Sequence, residues 1–333
     1  MHKPLPAHHT KRGFRNPPGS PVHAHKSAEY WRFIWRRLLL ARAAAAVPEG
    51  HMLAHAETVA GLAEHAELDS LTWLGHASFL IRTGGKTILV DPYLGEFASP
   101  VRGMGPKRFA PAALASGQLP PIDLLIVSHN HYDHLCAATI RNLPGKERMT
   151  VAVPLGLGRF FRRRGYINVH ELDWYDDLQL DGLRVTALPA VHWSKRTPFD
   201  RNRTLWASFA IKSRAHRLWF AGDTGYGPVF GDMGRDYGPF DLAMVPIGAY
   251  APRSIMGRHH ATPEEAVKIG RDMRADRLVA MHWGTVVLTD EHPFEPPGRF
   301  RAAADQAGLR PDQAWLMRIG ETRALPPGWP ANK

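Results

Sequence analysis

Four apolar runs in this chain each stop on a side chain that can bind a metal ion. LLIVS (residues 124–128) leads into His129, RVTALPAV into His192, RLWFAG into Asp223 and RLVAM into His282. A short continuous apolar run reads as a strand buried on both faces. A sheet then fixes the residue where the strand stops and the loop begins. Further short runs (LTWLG, SFLIRT, KTILVD, TVAVP, WASFAIK, LAMVPI) are separated by Gly-containing turns, with helical segments between some of them. The chain therefore reads as α/β, in two halves of similar strand density with no repeat at a fixed period. The clearest helix starts at Thr262, an N-cap followed by Pro263 and by Glu265 in a capping box, and runs to about Arg274.

SHNHYDHLC (residues 128–136) places His129, His131, Asp133 and His134 within six positions. Imidazole nitrogen suits zinc, and carboxylate oxygen suits zinc, manganese or iron. Adjacent side chains point apart, so a single tetrahedral ion cannot use all four, whereas two neighbouring ions can. His129 and His131 then serve one ion, Asp133 and His134 the other. His192, Asp223 and His282 supply the missing donors, with Asp223 as a bridging carboxylate. A closed structural zinc site would be Cys-rich, and Cys136 is the only thiol. One cysteine also excludes an intrachain disulfide and is compatible with a reducing compartment. GDTGY (residues 222–226) is not a dinucleotide fingerprint; its glycines let Asp223 approach the ions closely. His76 in WLGHASF is read as a supporting or packing residue, and His292 as a residue near the rim.

The chain has 333 residues, 44% hydrophobic and 22% charged, a globular composition. No apolar run approaches the ~18 residues of a membrane span, and the polar, basic start predicts no signal peptide. The net charge of +11 is unevenly spread. Residues 1–42 hold nine Lys/Arg against one acid, Glu29; the remainder holds 33 basic against 30 acidic residues. Such an arm suits nucleic acid, an anionic membrane surface or another subunit. No aromatic-basic module for single strands accompanies it, so nucleic acid is not expected. Residues 1–27 read as an extended arm rich in Pro, His, Lys and Arg. His2, His8, His9, His23 and His25 lie there, outside any strand or helix pattern. In residues 30–47, Trp31, Ile34, Trp35, Leu38 and Leu39 recur at helical spacing, interleaved with Arg32, Arg36, Arg37 and Arg42. This basic amphipathic helix has two compatible readings: packing on the domain or a second subunit, or lying on a membrane surface through aromatic anchors.

HNHYDHL, with His192, Asp223 and His282 downstream, resembles the metallo-β-lactamase superfamily. The resemblance implies a four-layer αββα sandwich with two metals at one edge of the sheets. It implies His129, His131 and His192 on one ion, Asp133, His134 and His282 on the other, and Asp223 between them. KRGFRNP, MGPKRF, HWSKRT, FAGDTGY, PIGAYAPR, HATPEEAV and EHPFEPP resemble, more narrowly, the N-acylphosphatidylethanolamine-hydrolysing phospholipase D family, over roughly residues 11–300. That implies a binuclear phosphodiesterase with two Zn²⁺ (Fe or Mn as alternatives). A metal-bridging hydroxide would attack phosphorus, releasing N-acylethanolamine and leaving phosphatidic acid. Asp133 and Asp223 would orient the hydroxide. His260 would hydrogen-bond a phosphate oxygen in the transition state or protonate the leaving group, with His259 a weaker choice. Tyr250, Arg253 and His260 are expected to contact substrate, and Lys195 and Arg196 are read as exposed bases. The expected organisation is a basic arm and amphipathic helix over residues 1–47 and one hydrolase domain over 48–333. The expected setting is cytoplasmic and peripherally membrane-associated. The partners would be a phospholipid substrate and an anionic membrane surface met by the N-terminal segment; a homodimer is compatible. The alternative is a soluble hydrolase of the same fold acting on a sugar-phosphate lactone or another small phosphodiester. Such relatives are typically shorter and lack the KRGFRNP arm. The chain departs from the family at Cys136, where an acidic residue is expected, and over residues 30–67.

Overall fold

The computed structural model describes residues 6–22, 27–40, 46–101 and 103–328. His2, His23, His25 and Arg42 lie outside the described residues, as do the side chains of Ile34, Arg37, Leu38 and Leu39. A small hairpin, β1 (His9–Thr10) and β2 (Gly13–Phe14), precedes helices α1 (Ser27–Leu40) and α2 (His55–Glu64). Next come β3 (Ser70–Gly75), β4 (Ser78–Thr83), β5 (Lys86–Val90), β6 (Leu124–Ile126), α3 (Ala137–Asn142), β7 (Thr150–Pro154), α4 (Gly158–Arg162) and β8 (Asn168–Leu172). The second half holds β9 (Asp177–Leu180), β10 (Leu183–Leu188), β11 (Ser208–Ser213), β12 (Arg217–Phe220), α5 (Val229–Tyr237), β13 (Phe240–Pro246), α6 (Arg253–Met256) and α7 (Pro263–Asp272). It closes with β14 (Ala275–Met281), α8 (Pro296–Gln306), β15 (Ala314–Trp315) and β16 (Thr322–Ala324).

Two seven-stranded sheets result. One runs β16-β3-β4-β5-β6-β7-β8, the other β15-β14-β13-β12-β11-β10-β9. Both follow one plan, an antiparallel meander continued by parallel strands: β5 to β8 in the first sheet, β12 to β15 in the second. The two halves of similar strand density are these two sheets. The inner parallel strands β6, β7 and β13 are buried along their whole length, as the continuous apolar runs require. Trp73, Phe79, Phe209 and Phe220 belong to one core shared by the sheets. Leu62 of α2, Ile140 of α3 and Phe161 of α4 join Leu80, Leu89 and Val151 in a second cluster on the outer face of the first sheet. Ala266 and Ile269 of α7 and Phe300 of α8 bury their side chains beside the second sheet. The layers are therefore helix, sheet, sheet, helix, the αββα order of the metallo-β-lactamase type.

Helix α7 starts as its sequence dictates. Thr262 Oγ1 accepts from the Glu265 N–H at 3.2 Å, and Glu265 Oε2 accepts from the Thr262 N–H at 2.9 Å. It ends at Asp272, short of Arg274, whose φ of 58° is incompatible with a continuing helix. Helix α1 begins three residues before the expected Tyr30. Of the residues in the stripe defined by spacing, Trp31 is 60% and Trp35 63% exposed, whereas Phe33, outside that stripe, is buried. Arg36 pairs with Asp290, and Ser254 hydrogen-bonds Glu29, tying α1 to a loop and to α6 of the second half. Among the described residues, no helix is long and apolar enough to cross a membrane.

Candidate metal centre

The first sheet delivers His129, His131, Asp133 and His134 on the loop after β6. The second delivers His192 after β10, Asp223 after β12 and His282 after β14. All seven meet. His131 Nδ1 lies 2.9 Å from His129 Nε2 and 3.2 Å from His192 Nε2. Two nitrogens on one tetrahedral zinc sit about 3.3 Å apart, given Zn–N near 2.0–2.1 Å, so these three rings close on a single ion's volume. Asp133 Oδ2 lies 3.5 Å from His282 Nε2 and 3.7 Å from His134 Nε2. Asp223 stands between the groups. Its Oδ2 is 3.2 Å from His134 Nε2, 3.8 Å from His192 Nε2 and 3.9 Å from His129 Nε2, and its Oδ1 is 3.1 Å from His282 Nε2.

These residues fit bound metal. His134 Nε2, His282 Nε2 and Asp223 Oδ1 are buried and have no hydrogen-bond partner. An unmatched buried polar atom costs ~1–3 kcal/mol, so three in one cluster indicate a ligand that satisfies them. The charge balance agrees. Burial would raise the Asp223 and Asp133 carboxyls, but adjacent imidazoles, His134 foremost, hold both well below the usual range. Burial would lower His282, yet the Asp223 and Asp133 carboxylates lift it to about 9. His134 is likewise held well above its ordinary value against burial, chiefly by Asp223. Positive charge is thus favoured between the two carboxylates. On the other side, burial lowers His131 to about 3 and His192 to about 4, leaving neutral rings that can donate lone pairs.

The far sides of these rings are anchored. Ser128 Oγ is 2.9 Å from His129 Nδ1, and the His192 Nδ1–H donates to the His259 carbonyl at 2.9 Å. His134 Nδ1 lies 2.7 Å from Asp91 Oδ2, which also accepts from Ser128 Oγ at 2.5 Å, while Asp91 Oδ1 accepts from the Ser128 N–H at 2.7 Å. Such outer partners fix ring orientation and tautomer. Asp91 is the residue that sequence reasoning missed. Its signal was present, since KTILVD is also an apolar run ending on a metal-type side chain. His76, read from sequence as a supporting residue, joins the Asp133, His134 and His282 donors, with Nε2 3.0 Å from Asp133 Oδ2. Asp91, His76 and His282 all adopt left-handed backbone, at φ 40°, 56° and 64°. That conformation costs ~1–2 kcal/mol per residue, and strain of this kind gathers at functional sites.

The N-terminal KRGFRNP motif also reaches this centre. Gly13, at φ 146°, lies so close to Asn202 that a Cβ would sit 2.0 Å from its carbonyl oxygen. Seated there, the hairpin extends to Asn16, whose Oδ1 accepts from the His192 N–H at 2.9 Å and from Trp206 Nε1 at 3.1 Å.

A cavity of about 520 Å³ shares His131, Asp133, Asp223 and His260 with the donor cluster. Phe33, Trp193, Ile255 and Leu288 make it largely apolar, and Arg201 and Arg258 add positive charge. His260 is buried, its Nδ1 3.9 Å from Asp223 Oδ2 and without a hydrogen-bond partner. Burial holds its pKa well below the usual value. Tyr250 and Arg253 are placed elsewhere, and neither lines the cavity. The Tyr250 hydroxyl donates to Glu295 at 2.8 Å, and Arg253 donates to the His260 carbonyl at 2.8 Å while pairing with Glu265. Lys195 is exposed, but Arg196 is not a free base. It stacks 4.1 Å over Tyr132 and donates to the Asn130 carbonyl, bracing the ligand loop. Cys136 packs as a small apolar residue with Tyr93, Ala98 and Val286.

Comparisons with known proteins agree with this geometry. The family description "Beta-lactamase superfamily domain" matches residues 86–283, from β5 to just past His282. An uncharacterised protein of Mycobacterium tuberculosis is 41% identical over 242 residues, 71% of this chain and 64% of that protein. The chain thus spans slightly under two thirds of that relative's length. The N-acyl-phosphatidylethanolamine-hydrolyzing phospholipase D 1 of Caenorhabditis elegans is 37% identical over 246 residues, covering 70% of this chain and 69% of that one. In fold alone, the isothiocyanate hydrolase from Delia radicum gut bacteria aligns with a TM-score of 0.60 at 20% identity, over 77% of this chain and 98% of that one. With its donor cluster at the edge of two paired sheets, the chain belongs to the N-acylphosphatidylethanolamine-hydrolysing phospholipase D family, metal-dependent hydrolases of the β-lactamase superfamily.

Proposed function

We propose that this chain is a binuclear phosphodiesterase of phospholipase D type, converting N-acylphosphatidylethanolamine to N-acylethanolamine and phosphatidic acid. The observation that carries the reading is the join between the donor cluster and a largely apolar cavity, one wall of which is Phe33 of α1. A phosphodiester needs the cations; acyl chains need the apolar wall. His129, His131 and His192 would hold one zinc-type ion, Asp133, His134 and His282 the other, with Asp223 facing both. When bound, such a pair lowers the pKa of water and neutralises phosphodiester charge.

The chain's own groups then do the following. Asp133 and Asp223, ionised by their histidine neighbours, orient the attacking water. His260 is neutral at pH 7, so it acts as a hydrogen-bond donor to a phosphoryl oxygen better than as a proton donor. Arg253 holds the backbone of His260 in place through the carbonyl. The bond that breaks joins phosphorus to the ethanolamine oxygen. Trp31 and Trp35 of α1 are exposed beside Arg32, a surface suited to an anionic bilayer, where a free basic residue contributes about 1 kcal/mol. Substrate would thus pass from the bilayer along α1 into the cavity.

The test is turnover of N-acylphosphatidylethanolamine in vesicles. Activity is expected, lost with chelator and with Asp133→Asn. Protein that leaves the vesicles untouched while hydrolysing small phosphodiesters would refute the lipid assignment.

A further inference from the structure

The histidines of the arm had no place in the sequence pattern, yet two of them are held with care. His8 Nε2 lies 2.6 Å from Asp173 Oδ1, and His9 Nε2 lies 2.7 Å from Asp173 Oδ2. Side chains of consecutive residues ordinarily diverge; here both rings turn to one carboxylate. Their orientation is set by packing. His8 stacks on Trp174 at 4.2 Å, and His9 meets Phe14 edge-on at 5.1 Å. The carboxylate is set in turn by the Trp174 N–H, which donates to Asp173 Oδ1 at 2.8 Å. The two nitrogens and a carboxylate oxygen all lie within 4.8 Å of one another.

We propose that His8, His9 and Asp173 form a third divalent-metal site, open to solvent and separate from the central cluster. Two imidazoles and one carboxylate are three of the four donors of an open zinc-class site. His8 is 8% exposed, while His9 and Asp173 are each 18% exposed, which leaves room for water as the fourth ligand. A bound ion would take the Nε2 lone pairs that now face Asp173, with each neutral ring carrying its proton on Nδ1. It fastens the hairpin from which Asn16 reaches His192.

Untagged full-length protein, stripped with chelator and dialysed against rising Zn²⁺ at neutral pH, tests this by metal content per chain. Wild type is expected to hold one more ion than Asp173→Ala or His9→Phe. That difference can be read whatever number of ions the central cluster takes. The phenyl ring in His9→Phe keeps the contact with Phe14 and lacks the nitrogen, so the second variant stands if the first fails to fold. Trypsin cleavage after Lys11 or Arg12 is expected to slow as the extra ion fills in wild type, and in neither variant. Equal metal content in wild type and His9→Phe overturns the proposal and leaves a His–Asp–His hydrogen-bonded pin. Cleavage that zinc slows equally in all three proteins overturns it as well.

Discussion

His134 shows how much one imidazole can be asked to do. Its Nδ1 is committed to Asp91, and its Nε2 faces both Asp133 and Asp223. Asp91→Asn keeps the shape but weakens the acceptor that fixes the ring, so metal affinity is expected to fall ~10–100-fold, measured by competition with a chromophoric chelator. His260→Gln should lower kcat by ~10²–10³-fold at unchanged metal content, as expected for loss of one transition-state hydrogen-bond donor that is not a ligand. Loss of metal in His260→Gln would place it among the ligands instead. The seven candidate donors that the fold brings together could be picked out in sequence because His129, His192, Asp223 and His282 each end an apolar run, and His131, Asp133 and His134 share the loop of His129. Partnerships across the chain could not. Asp91 and His134 are 43 residues apart, and His8 and Asp173 are 165 apart. Nothing local in either member names the other.

At the level of the element, local and tertiary control separate cleanly. The start of α7 was legible because its cap is made by residues three apart, whatever the surroundings. Thr262→Ala removes that cap and should cost ~1 kcal/mol in denaturant unfolding. Helix α1 was legible as a helix, but not in the way it packs. Spacing left α1 two readings, packing on the protein or lying on a membrane surface; Trp31 and Trp35 are exposed, while Phe33 is buried at the cavity and Glu29 and Arg36 are tied to Ser254 of α6 and to Asp290. Replacing Trp31 and Trp35 together by Ser should therefore leave stability nearly unchanged. Partition to anionic vesicles should drop ~10-fold or more, given ~1.5–3 kcal/mol for each large apolar side chain buried. Unchanged co-sedimentation would detach α1 from membrane binding.

For the molecule as a whole, buried titrating groups set the response to acid. Burial lowers His76 and His131 to about 3 and His192 to about 4. An unfolded chain takes up protons on these side chains near pH 6.5, and the folded chain does so only near those lower values. Stability without metal should therefore fall as pH drops from about 6.5 towards 3–4. Asp133 and Asp223 add to the loss further down, as their unfolded carboxyls protonate first. His282, lifted to about 9, works oppositely: its contribution is present below pH 6.5 and fades as pH rises to 9. Because the lowered His76, His131, His192 and His260 outnumber the raised His134 and His282, the melting temperature of chelator-treated protein should drop between pH 6.5 and 4. A flat profile there would mean that these rings are not neutral in the fold.

Each donor group of the proposed centre draws on both sheets: His129 and His131 meet His192, and Asp133 and His134 meet His282 and Asp223. Neither half of the chain owns a complete set, so the order of events in time is constrained. Ions cannot be captured in full until the halves have docked, which makes their uptake a late step and a readout of finished assembly. In the reverse direction, the halves cannot part while the donors stay bound. Separation of the halves in a loaded protein would then require release of metal as well as loss of the shared core.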